Sequence, residues 1–259
     1  MHQEKAAIIK NKKITDQCWR LQLCSKNIAR QAQPGQFLHV KISSNSQKPF
    51  LRRPFAVHSI EKKDEFSILY KIRGEATKLM RELKKGDKID TIGPLGAGFQ
   101  PSVNVQKYVL VAGGIGLAPL FFLTKELIDN KKEVVLIYGA RTKNELLCTK
   151  ELSKVKIKPL LATDDGSQGI KGNANNLLNN YLAKNKKEKI EVFAAGPRMM
   201  LKETARICKK AGVNLEVSMD EIMACGVGVC LGCAVKTKNG YKLACKDGPV
   251  FKAEDIIWE

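Results

Sequence analysis

The spacing of apolar residues changes near residue 101, and this change constrains the fold more than any other feature of the chain. Before it, apolar and polar residues alternate in short runs such as FLHVKIS, PFAVHSI and EFSILYKI, separated by turn signals such as PGQ and KKGD. About six strands of this kind predict a small antiparallel β-barrel over residues 1–101. One short helix is predicted within it, at ATKLMREL.

From about residue 105, predicted strands alternate with predicted helices. The buried strand KYVLVAG leads through a glycine turn into the helix LAPLFFLTKELIDN. The strands EVVLIYGA, KPLLATDDG and IEVFAAGP then alternate with the helices KNELLCTKELSK, ANNLLNNYLAKN and RMMLKETARICKKAG. This order predicts a parallel sheet with helices on both faces over residues 102–215. NLEVSMDE reads as one more strand, which leads into a C-terminal segment over residues 216–259.

Composition narrows the class of protein. Hydrophobic residues make up 44% of the 259 residues, an ordinary value for a folded domain. No apolar run approaches the roughly 18 residues that cross a bilayer, and the first residues lack a signal-peptide pattern. We therefore expect a cytoplasmic protein.

The chain is strongly basic, with a formal net charge of +19. Its lysines are spread along the whole sequence, and aromatic residues amount to only 6%. This distribution favours a solvated basic surface over a nucleic-acid-binding stripe. The excess charge would also attract anionic ligands or an acidic partner.

Four of the eight cysteines are clustered near the C-terminus with the spacing C-x4-C-x2-C-x11-C, at Cys225, Cys230, Cys233 and Cys245. Disulfides, zinc and an iron–sulfur cluster are the candidate uses. Because the cytosol keeps thiols reduced, metal binding is favoured over cross-linking. The other four cysteines stand singly among apolar residues and are interpreted as ordinary buried thiols, at Cys18, Cys24, Cys148 and Cys208.

The glycine turn VLVAGGIGLAPL is a candidate nucleotide site. Gly113, Gly114 and Gly116 lie between a strand and a helix, where glycine lets the backbone approach a phosphate and the helix N-terminus supplies N–H donors. The alternative is a purely steric turn. Since ligands of such sheets bind at the carboxyl ends of the strands, residues 139–141, 163–166 and 196–199 are expected to line the same dinucleotide site.

Two arginines in the barrel are candidate ligands for an anion. Arg52 and Arg53 lie inside the apolar strand LRRPFAV, where a guanidinium is costly to bury unless it meets an anion such as phosphate. The alternative is that both cover the rim of the barrel. A second candidate phosphate site is the helix start formed by Gly74, Ala76 and Thr77.

The motifs LRRPFAV, GPLGAGF, GGIGLAPL and MACGVGVCLGCAV…CKDGPVF together resemble the ferredoxin–NADP reductase superfamily. More narrowly, they are similar to the electron-transfer subunits of type 1B, NAD-dependent dihydroorotate dehydrogenases, which serve pyrimidine biosynthesis. The resemblance implies FAD in the barrel, a 2Fe–2S cluster in the C-terminal segment and NAD at the α/β domain. It also implies a partner, an FMN-containing subunit that oxidises dihydroorotate, with two copies of each chain.

The resemblance assigns FAD contacts residue by residue. The family's Arg-Pro-x-Ser run corresponds here to Arg53, Pro54, Phe55 and Ala56, with alanine in place of the serine. The tripeptide at the end of the following strand corresponds to Leu69, Tyr70 and Lys71, and the Gly-Thr pair corresponds to Ala76 and Thr77.

The cysteine spacing itself is the plant-type spacing for a 2Fe–2S cluster, whereas zinc ribbons favour paired C-x2-C knuckles. Gly226, Gly228 and Gly232 would let the loop fold with its N–H groups directed inward. Electrons are expected to pass from dihydroorotate through the partner's FMN, the cluster and FAD to NAD⁺. No catalytic acid or base is therefore predicted in this chain.

Two alternatives stay open: a flavin–iron–sulfur reductase that serves a ferredoxin or an oxygenase, and a zinc-stabilised, basic nucleic-acid-binding module. An apolar collar around the cysteines is expected to dock on the partner subunit, because a monomer would not favour its exposure. We define the apolar collar as Ala224, Val227, Val229 and Leu231.

Overall fold

The computed structural model describes residues 1–42 and 48–258. Its N-terminal part is a closed barrel of six antiparallel strands in the order β1-β2-β5-β4-β3-β6, as the alternating pattern predicts. The strands are β1 His2–Lys13, β2 Cys18–Cys24, β3 Phe37–Lys41, β4 Arg53–Lys62, β5 Glu65–Lys71 and β6 Lys88–Leu95. Helix α1, Lys26–Gln31, follows β2, and helix α2, Glu75–Glu82, lies where the sequence predicts a helix.

The barrel interior is filled by apolar side chains from its strands. Buried and more exposed residues alternate strictly along β6, for example. Leu21, Leu38, Phe66 and Ile68 fill the interior and are fully buried. Met80 of α2 is fully buried in the same core, so the helix packs on the barrel through its apolar side.

The second part is a seven-stranded sheet in the order β10-β9-β8-β7-β11-β12-β15, parallel except for the antiparallel β15. Its strands are β7 Lys107–Gly113, β8 Glu133–Ala140, β9 Leu160–Thr163, β10 Ile170–Lys171, β11 Ile190–Ala195, β12 Asn214–Ser218 and β15 Val250–Lys252. Its helices are α3 Leu117–Asp129, α4 Thr149–Lys154, α5 Ala174–Lys184 and α6 Arg198–Ala211. Two separate apolar clusters cover the two faces, one with α3 and α4 and the other with α5 and α6.

The single continuous helix predicted over residues 143–154 is wrong, because the structure has two separate helical pieces there. A short 3₁₀ turn, Lys143–Glu145, is separated from α4 by Cys148, whose φ of +54° is left-handed. The N–H of Leu147 donates to the hydroxyl of Tyr138 on β8 at 2.9 Å instead of continuing the helix. A buried tertiary hydrogen bond therefore overrides the local helical pattern.

The C-terminal segment is anchored to both larger parts. After β12 the cysteine loop leads to a hairpin of β13, Ala234–Thr237, and β14, Gly240–Leu243, and then to β15, which pairs with β12. The backbone of Ala97, in the predicted GPLGAGF loop of the barrel, donates to Gly248 at 2.5 Å. The predicted boundaries after residues 101 and 215 stay predictions; β12 itself runs across the second.

No helix in the described part of the chain has the length and apolar character needed to span a membrane.

Candidate functional site

The four clustered cysteines lie between β12 and β15. Cys225 is half-buried, Cys230 is exposed, and Cys233 and Cys245 are buried. Their thiols interact in two pairs, Cys225 with Cys230 and Cys233 with Cys245. Among residues 1–42 and 48–258, no three His, Cys, Asp or Glu side chains meet at a single-ion site. The two neighbouring pairs suit a two-iron cluster held by four thiolates.

Backbone N–H groups of the loop point at the cysteine sulfurs. The Sγ atom of Cys225 accepts three of them at 3.4–3.5 Å, from Val227, Val229 and Cys230. The N–H of Gly228 donates to Cys245 Sγ at 3.1 Å, and the N–H of Cys245 donates to Cys233 Sγ at 3.4 Å. Such hydrogen bonds stabilise thiolate and tune the potential of an iron–sulfur cluster.

The electrostatics of Cys225 follow from this loop. Burial by itself raises the pKa of its thiol, but the N–H groups of Val227, Cys230 and Val229 lower it to about 6. The pKa of Cys245 is instead raised to about 12 by burial and by the neighbouring Cys233. Bound iron would stabilise all four sulfurs as thiolates. Donor set and loop geometry therefore both fit a 2Fe–2S cluster.

Arg52, just before β4, and Arg53, its first residue, have different surroundings. Arg52 donates to Asp90 Oδ2 at 2.6 Å and to the Asp90 carbonyl at 3.1 Å, so its charge is neutralised within the barrel. Arg53 donates to the carbonyls of Leu51 and Arg52, at 2.7 and 3.1 Å. Within the described residues Arg53 has no carboxylate partner. The predicted contact of Arg53 with a phosphate stays a prediction.

The predicted flavin residues of β4 and β5 lie on paired strands. Arg53, Pro54, Phe55 and Ala56 are all half-buried at the start of β4. The rings of Phe55 and Tyr70 meet edge to face at 6.2 Å between centroids. Leu69 and Tyr70 are buried and Lys71 is half-buried.

Not every predicted flavin residue is free to contact a ligand through its side chain. Tyr70 is buried, and its hydroxyl donates to Asn11 Oδ1 at 3.2 Å. At the start of α2, Thr77 Oγ1 accepts the N–H groups of Arg73 and Gly74 at 2.9 and 3.3 Å. Ala76 is buried beneath them. These contacts shape the helix start, and the roles of Ala76 and Thr77 toward FAD stay predictions.

The glycine turn lies where the strand order of the parallel sheet reverses, because β7 has β8 on one side and β11 on the other. A Cβ at Gly116 would lie 2.1 Å from the carbonyl oxygen of Ala195, so the turn packs directly on the end of β11. A Cβ at Gly113 would lie 2.5 Å from Met200 Sδ, whereas one at Gly114 would meet nothing within 4 Å. Gly114 thus has open space beside it, and its contact with a nucleotide stays a prediction.

The other predicted strand ends lie along the same edge of the sheet. Gly113 is in register with Gly139, and Ala140 is in register with Thr163. Ala195, which precedes the predicted stretch at 196–199, is in register with Ala112. The sheet therefore brings together the segments that the sequence predicts as one dinucleotide site, and their contacts with NAD stay predictions.

Sequence reasoning missed His39. It lies on β3 within the run FLHVKIS, fully buried, with its ring against the cysteine loop at Gly226. The one available signal was a polar residue between Leu38 and Val40, on the face of β3 opposite to these two barrel-core residues.

Comparisons with known proteins agree with this geometry. Residues 220–257 match the model of the iron–sulfur cluster binding domain of dihydroorotate dehydrogenase B, and residues 110–206 match the oxidoreductase NAD-binding domain. The chain is 38% identical to the dihydroorotate dehydrogenase B (NAD(+)) electron transfer subunit of Desulforamulus reducens, over 90% of each chain. It is 34% identical to the subunit of the same name from Caldanaerobacter subterraneus, over 98% of each chain.

Solved structures share the fold. The NADH-dependent reduced ferredoxin-NADP oxidoreductase, studied for flavin-based electron bifurcation, matches with a TM-score of 0.84 and 30% identity over 98% of this chain and 90% of that chain. A ferredoxin NADP⁺ reductase from Neisseria gonorrhoeae with bound FAD and NADP matches with a TM-score of 0.69 and 19% identity, over 82% of this chain and 92% of that chain. The second match shows the fold alone.

Proposed function

This chain belongs to the family of dihydroorotate dehydrogenase B electron transfer subunits, and we propose that it carries electrons from a dihydroorotate-oxidising partner subunit to NAD⁺. It is an oxidoreductase subunit with the ferredoxin-reductase fold. The shared family and fold decide against the alternative of a zinc-stabilised nucleic-acid-binding module.

Three sets of residues would hold the cofactors. The thiolates of Cys225, Cys230, Cys233 and Cys245 would hold the 2Fe–2S cluster, and the glycine turn after β7 would hold NAD. Arg53, at the start of β4, would bind the FAD pyrophosphate. A 2Fe–2S cluster exchanges one electron, a nicotinamide exchanges a hydride, and a flavin can do either, so the three together connect one-electron and two-electron chemistry.

The observation that carries this proposal is the thiol loop with its inward N–H groups, held against the barrel. Gly226 packs against His39 on β3, which pairs with the strand that carries Arg53. The same segment ends in β15, an edge strand of the nucleotide sheet. The C-terminal segment thus contacts the barrel and pairs with the nucleotide sheet. Substrate oxidation itself needs no acid or base from this chain.

A second subunit must supply the electrons, and the apolar collar is the surface we propose for its docking. Val229 is 77% exposed and Leu231 is 65% exposed beside the cysteines, while Val227 is partly exposed. Ala224 is half-buried at the base of the loop. Exposed apolar side chains around a redox site suit a protein interface. We further propose that the partner contains FMN and that the complex holds two copies of each chain.

Reconstitution tests the function. The chain, loaded with FAD and iron–sulfur cluster, is mixed with the dihydroorotate-oxidising subunit, dihydroorotate and NAD⁺, and NADH formation is followed. We expect NADH only when both subunits are present, and a mass by light scattering equal to two copies of each. A loaded chain that forms no NADH with an active partner would contradict the proposal.

A second candidate function is that of a ferredoxin reductase. The similarity to the NADH-dependent reduced ferredoxin-NADP oxidoreductase, at 30% identity, is the observation that favours it. The two functions differ in what the chain does by itself. A ferredoxin reductase would reduce ferredoxin from NADH without any partner subunit, at a rate above that of dihydroorotate-driven NAD⁺ reduction in the reconstituted complex.

A further inference from the structure

His39 is a fully buried polar side chain for which the function above has no use. It is 0% exposed on β3, and neither of its ring nitrogens has a hydrogen bond of good geometry within the described residues. A buried donor or acceptor that stays unpaired destabilises the folded state. Such a group in a folded protein calls for an explanation.

The ring lies between the two cofactor regions. A Cβ on Gly226 would be 2.4 Å from His39 Nδ1 and 2.8 Å from its Cγ, so the ring packs directly on the loop one residue after Cys225. Gly226 also has a left-handed φ of +70°. On the barrel side, His39 is in register with Pro54 of the strand that begins at Arg53.

The backbone carbonyls of Cys225 and Arg52 lie near this ring, one on the cysteine loop and the other at the flavin strand. A neutral imidazole has a single N–H, so it can donate to one of them at a time.

We propose that His39 is a positioning residue that fixes the Cys225 end of the cluster loop against the flavin strand. Its ring fills the space beside Gly226, and its N–H would donate to the Cys225 carbonyl. This inference rests on the proposed function, since it requires the loop to hold a cluster. Residues that orient metal ligands in this way affect metal retention even though they do not touch the metal.

The test uses the isolated chain, loaded with cluster and FAD, and needs no partner subunit. Cluster retention is measured as the half-life of its visible absorbance in excess chelator, and its electronic structure by electron paramagnetic resonance after reduction. His39→Leu should shorten the half-life by about tenfold to a hundredfold and shift the resonance. His39→Gln keeps an N–H donor and should restore part of both.

His58→Leu is the matched control. His58 is also a fully buried histidine of the barrel, but it contacts Ala118 and Phe121 of α3 and not the cysteine loop. It should lower stability without changing the resonance or the half-life. If His39→Leu keeps the wild-type half-life and resonance, or if His58→Leu changes them equally, the proposal is overturned.

A second pair of variants probes the contact from the loop side. Gly226→Ala should shorten cluster half-life, whereas Gly212→Ala, which has a similar φ of +66° but open space around it, should not. Adding His39→Ala to Gly226→Ala should lengthen the half-life again, because the smaller side chain returns the lost space. Strictly additive effects of the two changes would overturn the proposal.

A wild-type chain that binds zinc instead of iron would contradict the proposed function itself, and this outcome is distinct from a failure of the His39 proposal.

Discussion

At the scale of single residues, neighbours of the same type have different roles because their surroundings differ. Arg52 and Arg53 are adjacent at the start of β4, yet among the described residues Arg52 alone of the two has a carboxylate partner, Asp90, at 2.6 Å. Arg53 keeps its charge available for an anionic ligand. The surroundings of the cysteines differ as well. Three backbone N–H groups donate to the sulfur of Cys225. Cys208 is buried among apolar residues, and this burial raises the pKa of its thiol to about 12.

Arg53→Ala should weaken FAD binding by roughly tenfold to a hundredfold, because a charge-assisted contact contributes about 1.5–3 kcal/mol. The measurement is the FAD dissociation constant of the apoprotein. Arg52→Ala is the control, and it should lower stability through the unpaired Asp90 while changing FAD affinity little. Equal FAD affinity in wild type and Arg53→Ala would assign Arg53 to the rim of the barrel.

Cys230→Ser should bleach the iron–sulfur absorbance while the flavin remains, because a hydroxyl replaces one of four thiolate ligands. Iron and acid-labile sulfide are measured per chain, and about two of each are expected in the wild type for a 2Fe–2S cluster. Cys24→Ser, in β2 outside the cysteine loop, should keep the cluster. Stoichiometric zinc without iron in anaerobically purified protein would contradict the assignment.

At the scale of elements, the glycine turn is shaped by contacts with a strand that is remote in sequence. Gly116 is required because its backbone packs against the end of β11, whereas Gly114 faces open space. The broken helix near α4 has a similar cause, since Tyr138 takes the N–H of Leu147. In both places the sheet decides the conformation of a connection that local sequence leaves undetermined.

Gly116→Ala should lower the free energy of unfolding by about 3 kcal/mol, because its Cβ would lie 2.1 Å from a backbone carbonyl. NADH binding should weaken with it as the turn shifts. Gly114→Ala is the control, and its left-handed φ of +53° should cost only about 1 kcal/mol. Denaturant titration and NADH fluorescence measure the two effects. Equal losses of unfolding free energy in the two variants would mean that the Ala195 contact is unimportant.

At the scale of the whole molecule, buried polar contacts fix the barrel relative to the nucleotide domain. Glu191 of β11 accepts from the N–H and hydroxyl of Ser102 at 2.8 Å, which holds the connecting segment against the sheet. His58 Nδ1 lies 3.2 Å from the Ala118 carbonyl, and its ring stacks on Phe121 with centroids 4.5 Å apart. The cofactor regions are thereby kept in a fixed arrangement.

His58 should make stability depend on pH. Burial lowers its pKa to about 4, against about 6.5 in the unfolded chain. Between these values unfolding takes up a proton, so stability is full above pH 6.5 and declines as the pH falls toward 4. We expect a loss of about 2 kcal/mol between pH 7 and pH 5 from this group. Denaturant titrations at both pH values should show a smaller loss in His58→Leu; an unchanged loss would exclude His58 as its source.

Val229→Asp should weaken assembly with the partner and stop dihydroorotate-driven NAD⁺ reduction, because it places a charge in the apolar collar. NADH oxidation by artificial dyes should survive, since it needs only FAD and the nucleotide domain. Val103→Asp is a matched control, because Val103 is 78% exposed in the segment after the barrel and lies outside the collar. If assembly and coupled turnover were untouched in Val229→Asp, the docking surface would lie elsewhere.

The sequence by itself determined the features that depend on local spacing. Period-two alternation predicted the barrel, alternating strands and helices predicted the parallel sheet, and both predictions are confirmed. The cysteine spacing and the glycine turn pointed to the cluster and nucleotide sites, because ligand type and backbone freedom are properties of short segments. The same motifs predicted the family of the chain, and the comparisons confirm that prediction.

Tertiary structure alone decided which residues meet across long stretches of sequence. It pairs Arg52 with Asp90, it returns β15 to the edge of the nucleotide sheet, and it packs His39 against Gly226. Each contact joins segments that are far apart in the chain. Local periodicity carries no information about such pairs, because it records only which face of an element is buried and not what is buried against it.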